Sequence, residues 1–261
     1  MAEEPREPSR AQQAAAEVQV MGNLQSLDVA SECIERYGVH PDQFIEWYGA
    51  DDGAVVTMIH GGYFHEDGTL TYMRPAALAL AQNGYRVALA EYRHELGNPK
   101  VSRDDMETLA RHPQLGEAVW IGHSSGAIFT SYVLFNDSLP VRRCVALAPI
   151  FDLARAAEED AHELDINPIA QWLQNMPDQD PQLYAQWEPL AGYYAMGSAG
   201  FQQRGLHLDV IHGTHDHTVP VARTREFLAE PFNIALVPGE NHYDVIRPGS
   251  DSWLLLLGAL G

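Results

Sequence analysis

The stretch AVWIGHSSGAIF, residues 118–129, joins two apolar runs through a short polar segment that lies between two glycines. The run AVWI predicts a buried strand, and the run SGAIFTSYVLF predicts a buried helix. Between them, Gly122-His123-Ser124-Ser125-Gly126 fits G-x-S-x-G, a strand-to-helix turn that exposes a serine hydroxyl above a sheet. Glycine is needed at both ends because a Cβ atom there would clash in so tight a turn. The pattern therefore predicts this turn, with Ser124 as a nucleophile at the end of a buried strand.

Other apolar runs along the chain have the same character as AVWI. They are rich in β-branched residues, and most are apolar on both faces, which is typical of strands in a mostly parallel sheet covered by helices. The predicted strands are residues 44–49, 54–60, 86–92, 118–123, 143–149, 207–213 and 233–239. Helices are predicted between or after them at 74–83, 124–135, 221–229 and 252–260. We therefore predict an α/β fold with helices on both faces of the sheet.

Two segments depart from this alternation. Residues 1–40 begin with a polar and acidic stretch, and we expect an N-terminal arm that is partly flexible, followed by one domain over residues 41–261. Residues 152–204, approximately, contain helical pieces and several prolines but no strand pattern. An insertion after a strand's carboxyl end lies over the edge where open α/β sheets bind ligands, so we predict a helical cap there.

Composition limits the partners and the compartment. With 16 basic and 36 acidic residues, the formal net charge is −20, which repels nucleic acids and anionic membranes. Because the acidic residues are scattered along the chain, solubility or salt tolerance is the favoured reason for this surplus. The longest apolar stretch, WLLLLGAL, is too short to span a bilayer. Two cysteines and a polar N-terminus favour a cytoplasmic protein without a disulfide framework.

A serine nucleophile needs a histidine base and a carboxylate that orients the base, and in folds with this turn they follow in the order Ser, acid, His. Asp216 comes directly after the strand at 207–213, and His242 after the strand at 233–239. Both predicted strands end at the same edge of a parallel sheet as Ser124. The sequence therefore predicts Ser124, Asp216 and His242 as a catalytic triad.

Other residues compete for these roles. Asp152 also follows a strand, although it reads equally well as the N-cap of a helix. Several histidines near Asp216 fit loop or strand-end positions; they are His207, His212, His215 and His217. A metal site formed by His212, Thr214, His215 and His217 is an alternative, but it would lack a familiar ligand spacing.

The segment MIHGGYF predicts the donors that would stabilise an oxyanion. It follows a buried strand, and its glycines let backbone N–H groups approach a substrate closely. We expect the N–H groups of Gly61, Gly62, Tyr63 and Ser125 to form the oxyanion hole, with His60 in a structural role.

Six segments together resemble a known superfamily. HGGYF, EYR, GHSSGA, IFDL, HGTHDHTVP and GENHYDV are similar to those of α/β-hydrolases, on the branch of kynurenine formamidases (arylformamidases) and hormone-sensitive-lipase-like esterases, over about residues 54–257. The resemblance implies the α/β-hydrolase fold, the triad and oxyanion hole named above, and no metal or cofactor. Phe64 stands where formamidases usually have Trp, Ser125 where they have Ala, and HELGNP follows EYR in place of a Leu-Ala-Pro type continuation.

The resemblance also implies a substrate. An arylformamidase would act on N-formylkynurenine or a similar N-formyl arylamine, with the aromatic part under the cap against Tyr63, Phe64, Trp172 and Trp187. A short-chain carboxylesterase is the alternative enzyme, and a non-catalytic binding protein of the same fold is the alternative from another class. The expected partner is a small acyl amide or ester, and a homodimer is left open.

Overall fold

One mostly parallel sheet of eight strands forms the centre of the computed structural model, which describes residues 8–64, 68–163 and 167–261. The strands lie in the order β1-β2-β4-β3-β5-β6-β7-β8, with β1 and β2 antiparallel to their neighbours and the others parallel. In chain order they are β1 Cys33–Arg36, β2 Phe44–Tyr48, β3 Ala54–Ile59, β4 Tyr85–Glu91, β5 Val119–His123, β6 Arg143–Leu147, β7 His207–Gly213 and β8 Asn233–Val237.

The central strands are buried on both faces, which confirms the predicted parallel sheet. Successive side chains of β5 show this, because Trp120 packs into the core on one face and Ile121 into the core on the other. Each of the seven predicted strands overlaps a strand of the sheet, and β1 is an additional one.

Helices cover both faces of the sheet, as predicted. Residues of α1, α2 and α10 pack into one core, and residues of α3 to α8 pack into the other. The helices are α1 Arg10–Ser26, α2 Arg74–Gln82, α3 Pro99–Ala110, α4 Gly126–Phe135, α5 Leu153–Glu163, α6 Pro168–Leu173, α7 Pro181–Trp187, α8 Ala191–Gln203, α9 Val221–Arg225 and α10 Asp251–Leu260. Short 3-10 turns occur at Leu70–Met73 and Asp244–Ile246.

The N-terminal segment contains regular structure where the sequence suggested an arm. Helix α1 begins at a capping box formed by Ser9 and Gln12, and β1 pairs with β2 along the edge of the sheet. The sequence pattern is weak in both elements. In α1 the buried residues are Glu17 and Leu24, one of them charged, and β1 has the sequence CIER. Residues 1–7 lie outside the described part.

In its described residues, the predicted insertion contains four helices, α5 to α8, between β6 and β7. Aromatic side chains such as Trp172, Tyr184 and Tyr193 attach these helices to the core that also contains α4. Its role as a cap over the site stays a prediction.

Within the described residues, no helix combines the length and the apolar character needed to cross a bilayer. Cys33 is exposed, Cys144 is buried, and both are unpaired.

Candidate active site

The strand-to-helix turn at 122–126 has the strained geometry that its sequence predicts. Ser124 follows β5 directly and adopts a left-handed conformation with φ +55°, which is uncommon outside glycine. Its backbone N–H donates to Leu147 O at 2.9 Å, which ties the turn to the end of β6. The serine is 4% exposed and lies on the wall of a cavity.

Both glycines of the turn are required by close backbone contacts. A Cβ atom on Gly122 would lie 2.4 Å from Thr130 Oγ1 and 2.7 Å from Ala127 Cα. A Cβ atom on Gly126 would lie 2.4 Å from Ile59 O. The glycines therefore let α4 begin directly against β3 and β5, which explains why the sequence has G-x-S-x-G here.

Asp216 and His242 meet at the same edge of the sheet. His242 Nδ1 donates to Asp216 Oδ2 at 2.8 Å, and both side chains are buried. Val219 N–H donates to the other carboxylate oxygen at 2.6 Å. Burial alone would raise the pKa of Asp216, but His242 and His212 beside it hold that pKa well below its usual range. Asp216 is therefore an ionised acceptor that fixes the tautomer of His242.

His212 is a second histidine on the same carboxylate, which the sequence analysis left as a strand-end residue. Its Nε2 lies 3.0 Å from Asp216 Oδ2 and 2.9 Å from Val219 O, while its Nδ1 lies 2.7 Å from Thr224 Oγ1. A neutral ring satisfies all three contacts if Nε2–H donates and Nδ1 accepts from the Thr224 hydroxyl. His212 thus orients Asp216. The sequence signal for it was a histidine one residue before the end of β7 and four residues before the acid.

A chain of hydrogen bonds connects the loop after β3 to the loop that carries His242. Gly61 N–H donates to Tyr72 Oη at 2.7 Å, Tyr72 Oη–H donates to His123 Nδ1 at 2.9 Å, and His123 Nε2–H donates to His242 O at 2.9 Å. Burial, together with a smaller effect of the neighbouring His242, lowers the pKa of His123 to about 3. His123 is therefore a neutral link in this chain rather than a second base.

The loop after β3 passes against the serine, as the oxyanion-hole prediction requires, but its N–H groups are used unequally. A Cβ atom on Gly61 would lie 2.7 Å from Ser124 Cβ. Gly61 N–H is donated to Tyr72, and Tyr63 N–H is donated to Ser125 Oγ at 3.3 Å. Among the described residues, the N–H groups of Gly62 and Ser125 have no acceptor. Of the four predicted donors, Gly61 and Tyr63 are engaged elsewhere and Gly62 and Ser125 are available.

His60 links this loop to the end of β4 through hydrogen bonds of its ring, which is the kind of structural role that was expected for it. Its Nε2 lies 2.7 Å from Glu91 Oε1, and its Nδ1 lies 2.7 Å from Gly61 O. In the described parts of the chain, His60, Glu91 and His94 form the group whose ligand atoms lie close enough, within 4.8 Å, to surround a metal ion. The short contacts of His60 and the bond from Leu70 N–H to Glu91 Oε2 instead support a hydrogen-bonded structural cluster.

Ser124 and His242 line a cavity of about 300 Å³. Helix α1 contributes Met21 and Gln25 to its wall, whereas none of the described residues of 152–204 lines it. Its cover in this structure is therefore the N-terminal helix. The lining residues are Met21, Gln25, Gly62, Tyr63, Gly68, Thr69, Tyr72, His123, Ser124, Thr218, His242 and Tyr243.

The predicted substrate-binding residues separate into two groups. Tyr63 lines the serine cavity, and its Oη donates to Thr218 O at 3.2 Å. Phe64 and Trp172 are buried and stack in parallel with ring centroids 3.9 Å apart. Trp187 packs edge-on against Trp172 and lines a different cavity together with Arg103. The prediction that these last three aromatic residues line the serine cavity is corrected here, because they pack against one another.

Solved structures provide the comparison that decides the fold. The chain resembles esterase B from Lactobacillus rhamnosis, with 17% identity, coverage of 95% of this chain and 91% of that chain, and a TM-score of 0.64. It also resembles an acetyl ester-xyloside bifunctional hydrolase from Caldicellulosiruptor lactoaceticus, with 17% identity, coverage of 89% and 99%, and a TM-score of 0.64. An alpha/beta hydrolase enzyme from the metagenome of lagoon sediments at Mar Chica, Morocco, matches at 12% identity, coverage of 87% and 96%, and a TM-score of 0.57.

This chain has the α/β-hydrolase fold. No protein-family model and no curated protein sequence matches it. The two predicted donors without an acceptor in the described part of the chain are the N–H of Ser125, the residue after Ser124, and that of Gly62 in the loop after β3.

Proposed function

We propose that the protein is a serine hydrolase that cleaves a small acyl amide or ester through an acyl-enzyme. Ser124 is the nucleophile, His242 the general base and Asp216 the acid that orients it. The observation that carries the proposal is the 2.8 Å bond between His242 Nδ1 and Asp216 Oδ2, formed on a cavity whose wall also contains Ser124.

The protonation states follow from the hydrogen bonds. Because Nδ1–H of His242 donates to Asp216, its Nε2 is the free acceptor for the serine proton. Ser124 Oγ forms no hydrogen bond with the described residues, and in ligand-free enzymes such contacts commonly tighten only when substrate binds. His242 then passes the proton to the leaving amine or alcohol. Water hydrolyses the acyl-enzyme by the same steps in reverse.

The N–H groups of Gly62 and Ser125 stabilise the negative oxygen of the tetrahedral intermediate. Ser125 N–H lies at the start of α4, where the helix dipole also favours negative charge. The hydrogen bonds from Gly61 through Tyr72 and His123 to His242 hold the oxyanion loop at a fixed position relative to the base.

Two substrate classes fit this chemistry, and different observations favour them. The N-formyl arylamine class rests on the sequence resemblance, with Tyr63, Tyr72 and Tyr243 as aromatic groups on the cavity wall. The short-chain ester class is favoured by the modest cavity volume and by the position of Phe64, Trp172 and Trp187 outside that cavity. Among these we propose the arylformamidase activity, and the carboxylesterase activity is the second candidate.

The two candidates are separated by turnover measurements on both substrates. Release of kynurenine from N-formylkynurenine and of nitrophenol from p-nitrophenyl acetate is followed for the wild type, for Ser124→Ala and for Ser198→Ala, which changes an exposed serine. Formamide turnover that Ser124→Ala abolishes and Ser198→Ala leaves intact supports the arylformamidase. Ester turnover alone, lost in Ser124→Ala, supports the esterase, and Ser124-independent turnover of both contradicts the serine mechanism.

A further inference from the structure

Helix α1 brings a carboxylate to the loops that carry the acid and the base. Glu17 is 3% exposed, and its Oε1 accepts the N–H of His217 at 2.5 Å and the N–H of His242 at 3.3 Å. Its Oε2 accepts Thr218 Oγ1–H at 2.7 Å. One side chain from the N-terminal helix thus joins the loop after β7 to the loop after β8, about 200 residues away in sequence.

The same face of α1 closes the cavity. Glu17, Val20, Met21, Leu24 and Gln25 follow the i, i+3, i+4, i+7, i+8 spacing of one helix face. Leu24 is buried and Val20 packs against the same core, while Met21 and Gln25 line the serine cavity. When this face of α1 packs against the core, Glu17 accepts the N–H of His242, and Met21 and Gln25 complete the wall of the cavity.

A buried carboxylate is a costly way to attach a helix. Removing a charged group from water is unfavourable unless hydrogen bonds replace the water, and an apolar side chain would dock α1 without that cost. The partners of Glu17 are two backbone N–H groups and a hydroxyl, and one of the N–H groups belongs to the proposed base. The position of the charge is therefore better explained by what it does to His242.

His242 becomes a cation during the proposed reaction, because it takes the serine proton. Asp216 stabilises that cation from one side through Nδ1, and Glu17 adds a second negative charge at the backbone of the same residue. Burial alone would lower the pKa of His242; Asp216 raises it, and Glu17 raises it further.

We propose that Glu17 is a positioning residue for His242: its carboxylate fixes the loop that carries the base, so the site is complete only while α1 is docked. The inference rests on the proposed function of Ser124 and His242. It also assigns to the N-terminal helix a part in catalysis that the sequence analysis did not give it.

Two substitutions of Glu17 separate its charge from its hydrogen bonds. Glu17→Gln keeps an oxygen for the two N–H groups and an amide for Thr218, but removes the negative charge. We expect it to move the acidic limb of the pH profile of kcat/KM to lower pH. Glu17→Ala removes both features, and we expect kcat to fall at least about ten-fold while KM changes less, since a hydrogen bond to a charged group is lost beside the base.

The matched control is Gln19→Ala, which shortens an exposed side chain on the same helix. It is expected to leave kcat, KM and the pH profile unchanged. His217→Gln keeps the backbone N–H that donates to Glu17, and it checks that the acidic limb does not belong to His217.

Several titratable groups face His242 or its partners. They are Glu17 from α1, Tyr72 from the 3-10 turn at Leu70–Met73, His123 from β5, His212 from β7, Asp216 and His217 from the loop after β7, and Tyr243 from the same loop as His242.

The inference is overturned if both Glu17 variants keep the wild-type acidic limb and a kcat within two-fold of wild type. It is also overturned if Glu17→Ala raises KM and lowers the melting temperature while Glu17→Gln leaves the acidic limb unmoved, because Glu17 would then serve only to dock α1. Ser124→Ala separates this inference from the proposed function. A fully active Ser124→Ala protein defeats the proposed function, whereas an inactive one beside normal Glu17 variants defeats only the role of Glu17.

Discussion

Asp216 lies between two histidines, and the hydrogen bonds around it hold its carboxylate and the ring of His242 in fixed orientations. His212 donates from one side and His242 from the other, so the carboxylate stays ionised although it is buried. His242 is the member of this group whose charge changes in the proposed reaction. Single residues therefore determine the pH dependence of the proposed reaction.

We predict that kcat/KM falls on the acidic side with a midpoint above the ordinary histidine pKa of 6.5. Burial alone would lower the pKa of His242, but Asp216 raises it, so protonation removes the base at a higher pH than for a free histidine. A pH profile of kcat/KM for the wild type measures this midpoint. A midpoint below the ordinary histidine value would contradict the arrangement described here.

Tyr72 is the residue that connects the oxyanion loop to His123. We predict that Tyr72→Phe lowers the free energy of unfolding by about 1–3 kcal/mol, because the buried Gly61 N–H and His123 Nδ1 both lose their partner. Urea unfolding measures the change. The control is Tyr194→Phe, which removes the hydroxyl of an exposed tyrosine and is expected to have little effect. Equal stability of the two variants would mean that the chain of hydrogen bonds contributes nothing.

The strand-turn-helix unit from β5 to α4 is the element on which the site depends. The sequence predicted it because two apolar runs of different period meet at G-x-S-x-G; contacts inside the unit require Gly122, and contacts with the end of β3 require Gly126. Elements with weaker patterns were not predicted. Helix α1 turns a charged residue inward, and β1 is an edge strand with one aliphatic residue, so neither has the apolar pattern that marks a buried element.

The positions of aromatic residues were also beyond the sequence. Phe64, Trp172 and Trp187 could be assigned to a pocket only from their residue type, whereas their mutual stacking depends on how α6 and α7 pack on α4. Triad candidates were easier to predict, because the ends of neighbouring parallel strands meet at one edge of the sheet.

At the scale of this element, we predict that Gly122→Ala lowers the free energy of unfolding by about 1–3 kcal/mol or more, because its Cβ would overlap Thr130 and Ala127. The matched control is Gly258→Ala in α10, where nothing lies within 4 Å of the added carbon. That change should be neutral or stabilise the helix by roughly 0.5–1 kcal/mol. The two variants are compared by urea unfolding, and a Gly122→Ala protein as stable as Gly258→Ala would contradict the close contact.

The whole molecule has a formal net charge of −20, and this charge affects the stability of the entire fold. Like charges on one folded chain repel one another, and salt screens that repulsion over distances of about 10 Å or less. We predict that the melting temperature rises between low salt and about 0.5 M NaCl. Thermal unfolding at several salt concentrations measures the effect. A melting temperature that falls over this range would mean that screened ion pairs outweigh the net repulsion.

At the same scale, the chain brings residues from its N-terminal helix, from the turn after β5 and from the loops after β7 and β8 to one cavity. We propose that the residues around this cavity activate Ser124 as a nucleophile. The most direct test is intact-mass measurement after treatment with a fluorophosphonate probe, for the wild type and for Ser124→Ala. We predict one adduct on the wild type, located at Ser124, and none on the variant. An unlabelled wild-type protein, or an adduct that persists in Ser124→Ala, would contradict the claim.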